Sequence, residues 1–272
     1  MVHFQVIPEK CTKCQICVKE CPSVIIALDE VSGLPFVPEH PAAGSCIKCS
    51  HCVLMCPYDA CTLDFFPPSA YRTADMEQLP VPEQYQTLMA TRRSIRQFKK
   101  KGLSREAIDQ ILAVTNLAPT ATNAQQVRWV VTANPETTQA IREKCEIYLM
   151  DRLAEKPGDA FATRHLYRIS LGSDTIFRTA PHVAIALLPK TYPWQDDGVI
   201  ALTHFDNACH ALGHGSCWGG LLKIILTKDA SLREFLGIGE DLSICGTILF
   251  GDRVLKPCAK LPIRNPVQVD YR

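Results

Sequence analysis

The amino-acid sequence predicts a two-domain protein of the α+β class, and three observations point to it. The chain has 272 residues, enough for one large domain or two small ones. Nine of its fourteen cysteines lie within residues 1–65, so the composition changes sharply after that segment. Beyond it, a helical pattern is followed by β-branched apolar stretches typical of strands. We therefore divide the chain into a domain over residues 1–65, a proline-rich linker over 66–88 and a second domain over 89–272.

The composition as a whole excludes several classes of protein. Hydrophobic residues make up 47% of the chain and charged residues 21%, which excludes wholesale disorder. The net charge of +1 gives no general affinity for nucleic acid or for a membrane surface. The longest apolar runs, such as residues 183–188, are far shorter than the roughly 20 residues of a membrane span. Since the first ten residues also lack the apolar core of a signal peptide, we expect a cytoplasmic protein.

The N-terminal segment contains one cysteine pattern twice. The pattern is C-x2-C-x2-C-x3-C-P, and the copies begin 35 residues apart, at Cys11 and Cys46. Three thiolates separated by two residues can surround three corners of a cubane, while the fourth, which precedes a proline, points towards a second cluster. The spacing therefore predicts two [4Fe–4S] clusters with crossed ligand sets. These sets are Cys11, Cys14, Cys17 and Cys56 for one cluster, and Cys46, Cys49, Cys52 and Cys21 for the other.

A disulfide or zinc module is the alternative interpretation of these cysteines. Zinc sites usually combine paired C-x2-C units with a long gap between the pairs, a pattern that four closely spaced cysteines do not follow. The segment resembles the bacterial two-[4Fe–4S] ferredoxins over nearly its whole length. Because the eight ligand positions are then filled, we expect the remaining Cys61 to be a small buried apolar residue.

The second domain opens on a basic segment, residues 92–98, with the sequence RRSIRQF. Arg92, Arg93 and Arg96 flank Ser94 within five residues. Arginine suits bidentate binding of phosphate, and serine adds a hydroxyl donor. The alternative is a solvated basic run that continues into the three lysines at 99–101.

Helix and strand signals follow the basic segment. Ser104 is a plausible N-cap, and apolar residues recur after it at helical spacing, beginning with Ile108 and Ile111. After a small polar turn, the β-branched stretch Val127–Thr132 predicts a strand. Asn134, followed by proline and glutamate, predicts the start of a second helix.

Residues 88–272 resemble the flavin-dependent nitroreductase family. The likeness is carried, in order, by RRSIRQF, the turn APTATNAQ, the strand-like APHVAIAL and the segment LGHGSCWGG. The resemblance implies an α+β domain with a mainly antiparallel sheet packed by helices. It also implies an intertwined homodimer with FMN at the dimer interface.

The resemblance further implies which residues contact FMN. The first residues of the basic segment hold the phosphate and the ribityl chain, and Arg96 approaches the pyrimidine edge. The turn contacts the flavin, with its glutamine reaching across the dimer, and the glycine-containing segment meets N5 and O4 through its backbone. Lys260 or Arg264 completes the phosphate site, and the tail aligns in two ways that leave both open. The implied residues are Arg92, Arg93, Ser94, Arg96, Thr120, Gln125, Trp218, Gly219, Gly220, Lys260 and Arg264.

Some positions depart from the family pattern or invite another interpretation. The usual Gln-Pro-Trp after the turn is Gln-Gln-Val here, and His204 stands where an asparagine is common, so the substrate side of the flavin differs. His210 and His214 are spaced as helical metal ligands can be, but we expect surface or flavin-pocket histidines. For Cys217 we expect buried packing beside the flavin.

Together the two domains predict an iron–sulfur flavoprotein oxidoreductase. In the leading hypothesis, a donor such as reduced ferredoxin loads the clusters, the clusters reduce FMN, and FMN reduces a small acceptor. The expected acceptors are nitroaromatics, quinones and activated alkenes, and NAD(P)H is the other donor considered. One alternative is an electron-transfer module without a small substrate of its own. Another is a specialised branch of the same fold, such as a reductive dehalogenase or a flavin-modifying enzyme.

Overall fold

The computed structural model describes residues 4–39, 44–256 and 259–272, which divide into two units. The first unit contains the residues up to Leu79 together with Thr120–Ala124, and the second contains Pro80–Pro119 and the chain from Gln125 onwards. The segment predicted as a linker, residues 66–88, is thus shared between the units, with the division after Leu79. Cys258 lies outside the described residues.

The first unit is built from two copies of a strand–helix–strand pattern. The strands β1 and β4 pair antiparallel, as do β2 and β3, so each two-stranded sheet takes one strand from each copy. Apolar residues of both copies, among them Ile25, Ile26 and Val53, share one small core. The elements are β1 (Phe4–Val6), α1 (Ile16–Lys19), β2 (Ala27–Leu28), β3 (Pro35–Phe36), α2 (His51–Leu54) and β4 (Cys61–Leu63).

The second unit is a four-stranded sheet with helices on both faces. The strand order is β5–β6–β8–β7 and every pairing is antiparallel, which confirms the expected fold class. Its elements are α3 (Pro82–Thr91), α4 (Arg105–Thr115), β5 (Arg128–Val131), α5 (Pro135–Glu155), α6 (Ala160–Ser170), β6 (His182–Pro189), α7 (Asp196–Ala211), β7 (Gly215–Trp218), α8 (Gly220–Lys228), α9 (Ala230–Phe235) and β8 (Leu242–Gly251).

The sheet is covered on both faces because its central strands are apolar on both. Alternate β6 residues, such as Val183 and Ile185, join residues of α5 and α8 in the main core. The opposite face meets α7, where the ring of Phe205 lies 5.1 Å from that of Phe250 in β8. The C-terminal end of α7, at Ala211, is followed by a short turn and then by β7, which begins at Gly215.

Local sequence signals placed the helix starts correctly. The Ser104 hydroxyl accepts from the Ala107 amide at 3.2 Å, and the Asn134 side chain accepts from the Thr137 amide at 2.8 Å. Side-chain acceptors of this kind satisfy the amides that the first turn of a helix leaves unpaired. Among the residues that the structure describes, no helix is long and apolar enough to cross a membrane.

Candidate functional site

The two cysteine loops of the first unit repeat in three dimensions as they do in sequence. Six non-glycine residues adopt positive φ angles at positions that correspond across the 35-residue interval. A backbone that passes through the left-handed region can turn successive amides towards one concave space, the geometry of the anion-binding nests found at iron–sulfur sites. The pairs are Lys13 and Lys48 (φ 59° and 53°), Gln15 and Ser50 (65° and 61°), and Val24 and Asp59 (52° and 47°).

The eight cysteines line two cavities in a crossed arrangement. The first cavity has three thiols from the first copy of the pattern and Cys56 from the second. The second cavity has three thiols from the second copy and Cys21 from the first. The fourth cysteine of each copy therefore lies with the other copy. The two sets are Cys11, Cys14, Cys17 and Cys56, and Cys21, Cys46, Cys49 and Cys52.

The chemistry around these thiols suits a cluster of several irons. The Lys48 amide donates to Cys46 Sγ at 3.4 Å and the Ala60 amide to Cys56 Sγ at 3.3 Å. Burial, followed by the neighbouring thiols, raises the pKa of Cys52 to about 12, so the ligating thiolate form needs the positive charge of a metal. The residues fit an iron–sulfur cluster in each cavity.

Cys61 is buried, as expected, but its surroundings are not purely apolar. The side chain is 3% exposed and lines the first cavity. Its thiol shares this cavity with Cys17 and Cys56, two members of the first set. Burial, followed by the charge of these two cysteines, raises the pKa of Cys61 above the ordinary range.

In the second unit, a buried carboxylate that the sequence reasoning missed joins two of the predicted segments. Asp206 lies on α7 and is 4% exposed. Its carboxylate accepts from the Ser216 hydroxyl at 2.5 Å and from Trp218 Nε1 at 3.3 Å, and it pairs with Arg92 at 3.2 Å. The available signal was an aspartate among the apolar residues of the buried face of α7. Asp206 fixes the basic segment against β7.

The basic segment is also bound to β7 through its backbone. Ser94 and Ser216 form a parallel bridge, and the Ile95 amide donates to the Ser216 carbonyl at 2.8 Å. Gly215 is required at this contact, because a Cβ there would lie 2.9 Å from the Ile95 side chain. The segment therefore behaves as an additional edge to the sheet rather than as a free, solvated run.

A group of cations lies beside this junction. Burial lowers the pKa of His210, and the guanidinium groups of Arg253 and Arg92 lower it further. Arg93 belongs to the same neighbourhood and donates to the Lys260 carbonyl at 3.1 Å. Arg253, which follows β8, was not identified from the sequence. The donor set fits a doubly charged phosphate group, which guanidinium groups bind in bidentate fashion.

The two consecutive glycines after β7 have different surroundings. A Cβ on Gly219 would lie 2.5 Å from the Thr247 hydroxyl, which itself donates to the Gly219 carbonyl at 2.8 Å. A Cβ on Gly220 would meet nothing within 4 Å. The neighbouring Trp218 is 40% exposed. Gly219 is thus required by packing, whereas Gly220 borders open space that a planar ring could enter.

Cys217 is buried, as expected, and lies among cationic and hydroxyl groups. Burial raises the pKa of its thiol, while Arg96, Arg178 and the Ser94 hydroxyl act in the opposite direction. Arg178 adopts a left-handed backbone conformation with φ 54°. No sequence signal had indicated Arg178, because its proximity depends on the turn before β6.

The remaining predicted residues are distributed more widely. Thr120 belongs to the first unit, whereas Gln125 belongs to the second and is exposed with φ 49°. Within the first unit, the Asn123 side chain of the same turn donates to the carbonyls of Ile47 and Lys48 at 3.2 and 3.1 Å. Arg264 is exposed in the C-terminal segment.

His210 and His214 do not form a metal pair in the described structure. His210 Nε2 lies 2.9 Å from the Thr91 hydroxyl, and His214 Nδ1 lies 3.0 Å from an oxygen of Asp252. Each ring is directed at a different protein group. The two histidines therefore connect the C-terminal end of α7 to Thr91 and to Asp252.

Comparisons with known proteins agree with this geometry. Residues 89–252 match the model of the nitroreductase family, and residues 10–61 match that of a 4Fe-4S dicluster domain. A protein of Archaeoglobus fulgidus, named as an NADH dehydrogenase/NAD(P)H nitroreductase, is 28% identical over 173 residues, which are 60% of this chain and 82% of the relative.

Solved structures show the same fold. An FMN-bound nitroreductase of Bacteroides fragilis superposes with a TM-score of 0.56 at 20% identity, covering 71% of this chain and all of that one. An FMN-bound nitroreductase of Desulfitobacterium hafniense gives 0.54 at 22% identity, covering 68% and 96%. The matches to the family models confirm the predicted class, an iron–sulfur oxidoreductase of the flavin-dependent nitroreductase type. The chain belongs to the nitroreductase family and carries a 4Fe-4S dicluster domain ahead of the family domain.

Proposed function

We propose that the protein holds two [4Fe–4S] clusters and one FMN and catalyses the reduction of a small electron acceptor. The observation that carries the proposal is the presence, in one chain, of two four-thiol cavities and of a cationic site beside β7. When bound, the clusters supply single-electron transfer, and the flavin accepts electrons singly and releases them as a pair. The acceptors that suit this chemistry are nitroaromatics, quinones and activated alkenes.

The two cysteine sets are the proposed ligands. Cys11, Cys14, Cys17 and Cys56 hold the cluster that we call the first, and Cys21, Cys46, Cys49 and Cys52 hold the second. The support is the crossed distribution of these thiols over two cavities. The amide donors to Cys46 and Cys56 stabilise negative charge on the ligand sulfurs.

The FMN site is proposed to surround β7 and the basic segment. Arg92, Arg93 and Ser94 bind the phosphate and ribityl chain, with Arg253 adding positive charge and the Lys260 backbone close to Arg93. Arg96 approaches the pyrimidine edge, and the open space at Gly220 takes the ring. Asp206 orients Arg92 and Trp218 without touching the cofactor.

The assembly is proposed to be a homodimer in which Gln125 reaches the flavin of the partner. In support, the C-terminal segment is highly exposed, with Ile263 at 99% and Tyr271 at 93%. Apolar side chains exposed to this degree suit a segment that packs on a second copy of the chain. A molar mass near 60 kDa by light scattering supports this arrangement, and a mass near the 30.2 kDa of one chain contradicts it.

The decisive experiment is anaerobic purification followed by iron, sulfide and flavin analysis. We expect about eight irons and one FMN per chain, the content of two cubanes and one flavin. The protein is then reduced in turn with reduced ferredoxin, NADH and NADPH. Rapid reduction by ferredoxin supports entry of electrons through the clusters, whereas rapid bleaching by NADPH alone contradicts it. Four or fewer irons after careful reconstitution contradict the two-cluster assignment.

The reduced protein also separates an enzyme from an electron carrier. A panel of nitroaromatic, quinone, enone and haloaromatic compounds is offered to it under anaerobic conditions. Turnover of one class assigns the acceptor, and turnover of haloaromatics alone favours a dehalogenating branch. If no compound reoxidises the flavin faster than buffer does, the protein transfers electrons between protein carriers.

A further inference from the structure

The two cluster cavities are related by the 35-residue repeat, and the repeat is broken at one buried position. Cys61 follows the fourth cysteine of the second copy by five residues, and Ile26 stands at the corresponding place in the first copy. Cys61 lines the first cavity and Ile26 lines the second. Both side chains are buried, with exposed fractions of 3% and 5%. Each cavity thus has the same wall position, occupied by a thiol in one and by a hydrocarbon in the other.

Cys61 shares its cavity with the proposed ligands of the first cluster. Its side chain lines that cavity together with those of Cys17 and Cys56. It is held there by β4, where its backbone pairs with Val6, and by the small core of the first unit. The thiol of a cysteine side chain is a weak S–H donor.

Hydrogen bonds to cluster sulfurs are one of the factors that set the reduction potential. Reduction adds negative charge, so a donor aimed at a ligand sulfur stabilises the reduced form more than the oxidised form. Isoleucine has no donor and lowers the local polarity, which disfavours the added charge. The clusters in the two cavities should therefore differ in reduction potential, although each is held by four cysteines.

We propose that Cys61 donates its S–H to ligand sulfurs of the first cluster and thereby raises the reduction potential of that cluster, while Ile26 leaves the second cluster without this donor. Cys61 is a positioning and tuning residue, not a ligand. The inference rests on the two-cluster assignment proposed above. As a consequence, a protein that has taken up one electron holds it mainly on the first cluster. The cause is Cys61, a residue of the second copy of the cysteine pattern.

The test is a potentiometric titration of the full-length, cluster-loaded protein, followed by electron paramagnetic resonance so that cluster signals are separated from flavin absorbance. In Cys61→Ala we expect one cluster midpoint to fall and the other to remain. The loss of one hydrogen bond shifts the electron distribution between the clusters about five- to tenfold. A tenfold shift corresponds to 59 mV for a one-electron couple.

Two further variants show whether the donor itself matters. Cys61→Ser restores an O–H donor, so its midpoint should lie closer to the wild-type value than that of Cys61→Ala. Ile26→Cys introduces a thiol into the second cavity and should raise the midpoint that Cys61→Ala leaves unchanged. Cys145→Ala, which removes a fully buried thiol from the second unit, is the control and should move neither midpoint.

Three results overturn the proposal. If Cys61→Ala contains about eight irons and both midpoints are unchanged, the tuning role is wrong and the two-cluster assignment stands. If Cys61→Ala loses about four irons, Cys61 is a ligand rather than a donor. If the wild-type protein itself binds four irons or fewer, the cluster assignment and this inference fail together.

Discussion

The cluster-bearing loops and the site beside β7 show two different ways of building a functional site. In the loops, three of the four thiols of each cavity come from seven consecutive residues, and their spacing is written directly in the sequence. Beside β7, the groups that meet come from four separate segments of the chain, and they are Arg92, Asp206, Trp218 and Arg253. The first kind of site is readable from spacing, whereas the second depends on how the sheet and α7 pack.

The largest expected effect tests the one long-range feature of the loops, the crossed fourth cysteine. In Cys21→Ala and Cys49→Ala the iron content should fall from about eight to about four per chain, because both remove a proposed ligand of the second cluster. Iron analysis and electron paramagnetic resonance of the reduced protein measure this. The two variants should keep the same remaining signal, although their cysteines lie in different copies of the pattern.

The comparison for this prediction is Cys14→Ala, which should lose the first cluster and keep the other signal. If the spectrum of Cys21→Ala matches that of Cys14→Ala instead, the ligand sets are not crossed. Cys145→Ala again serves as the control for removal of a buried thiol outside the cavities and should keep about eight irons.

The features that could be predicted from the sequence are those that depend on neighbours along the chain, and the features that were missed depend on packing. The cysteine repeat, the Ser104 and Asn134 caps and the strand over residues 127–132 depend on neighbours along the chain, and the structure has the caps and a strand at Arg128–Val131. Asp206 was missed because an isolated aspartate on an apolar helix face gains meaning only when Ser216 and Trp218 are brought to it. The membership of Thr120–Ala124 in the first unit was missed for the same reason.

A second prediction uses the two glycines to separate packing from binding in the site beside β7. Gly219→Ala should lower the free energy of unfolding by about 1–3 kcal/mol, since the new methyl group displaces the Thr247 hydroxyl from its bond to the Gly219 carbonyl. Gly220→Ala should change stability by less than about 1 kcal/mol, because its methyl group meets open space at the start of α8.

The same pair distinguishes the proposed flavin position. If the ring lies against Gly220, then Gly220→Ala should raise the FMN dissociation constant about tenfold while the fold remains intact, a change worth roughly 1.4 kcal/mol. Urea denaturation measures the stability, and quenching of FMN fluorescence measures the binding. Unchanged FMN affinity in Gly220→Ala would place the ring elsewhere in the unit.

The smallest effect concerns a buried histidine that supports the sheet rather than the site. His182 Nε2 accepts from the Leu103 amide at 2.8 Å, and Nδ1 lies 2.8 Å from the Thr132 carbonyl, to which it donates. The contact at Nε2 requires the neutral ring. Burial lowers the pKa of His182, an effect that the bond to Thr132 only partly offsets. In the unfolded chain the His182 ring therefore takes up a proton near pH 6.5, whereas in the folded chain it takes up this proton only at lower pH. The stability contributed by this group is complete above that pH and is lost as the pH falls below it.

We expect the unfolding free energy to decline from pH 6.5 towards pH 5 by up to about 1.4 kcal/mol per pH unit for each such proton. His165 is also buried, with its pKa lowered mainly by burial, so it adds to the slope. His182→Gln should make the decline of the unfolding free energy with falling pH less steep, because one proton fewer is taken up on unfolding. Equal slopes in His182→Gln and wild type would mean that His182 takes up its proton in the folded state. The hydrogen bonds of His182 to Leu103 and Thr132 would then contribute nothing to the pH dependence of the unfolding free energy.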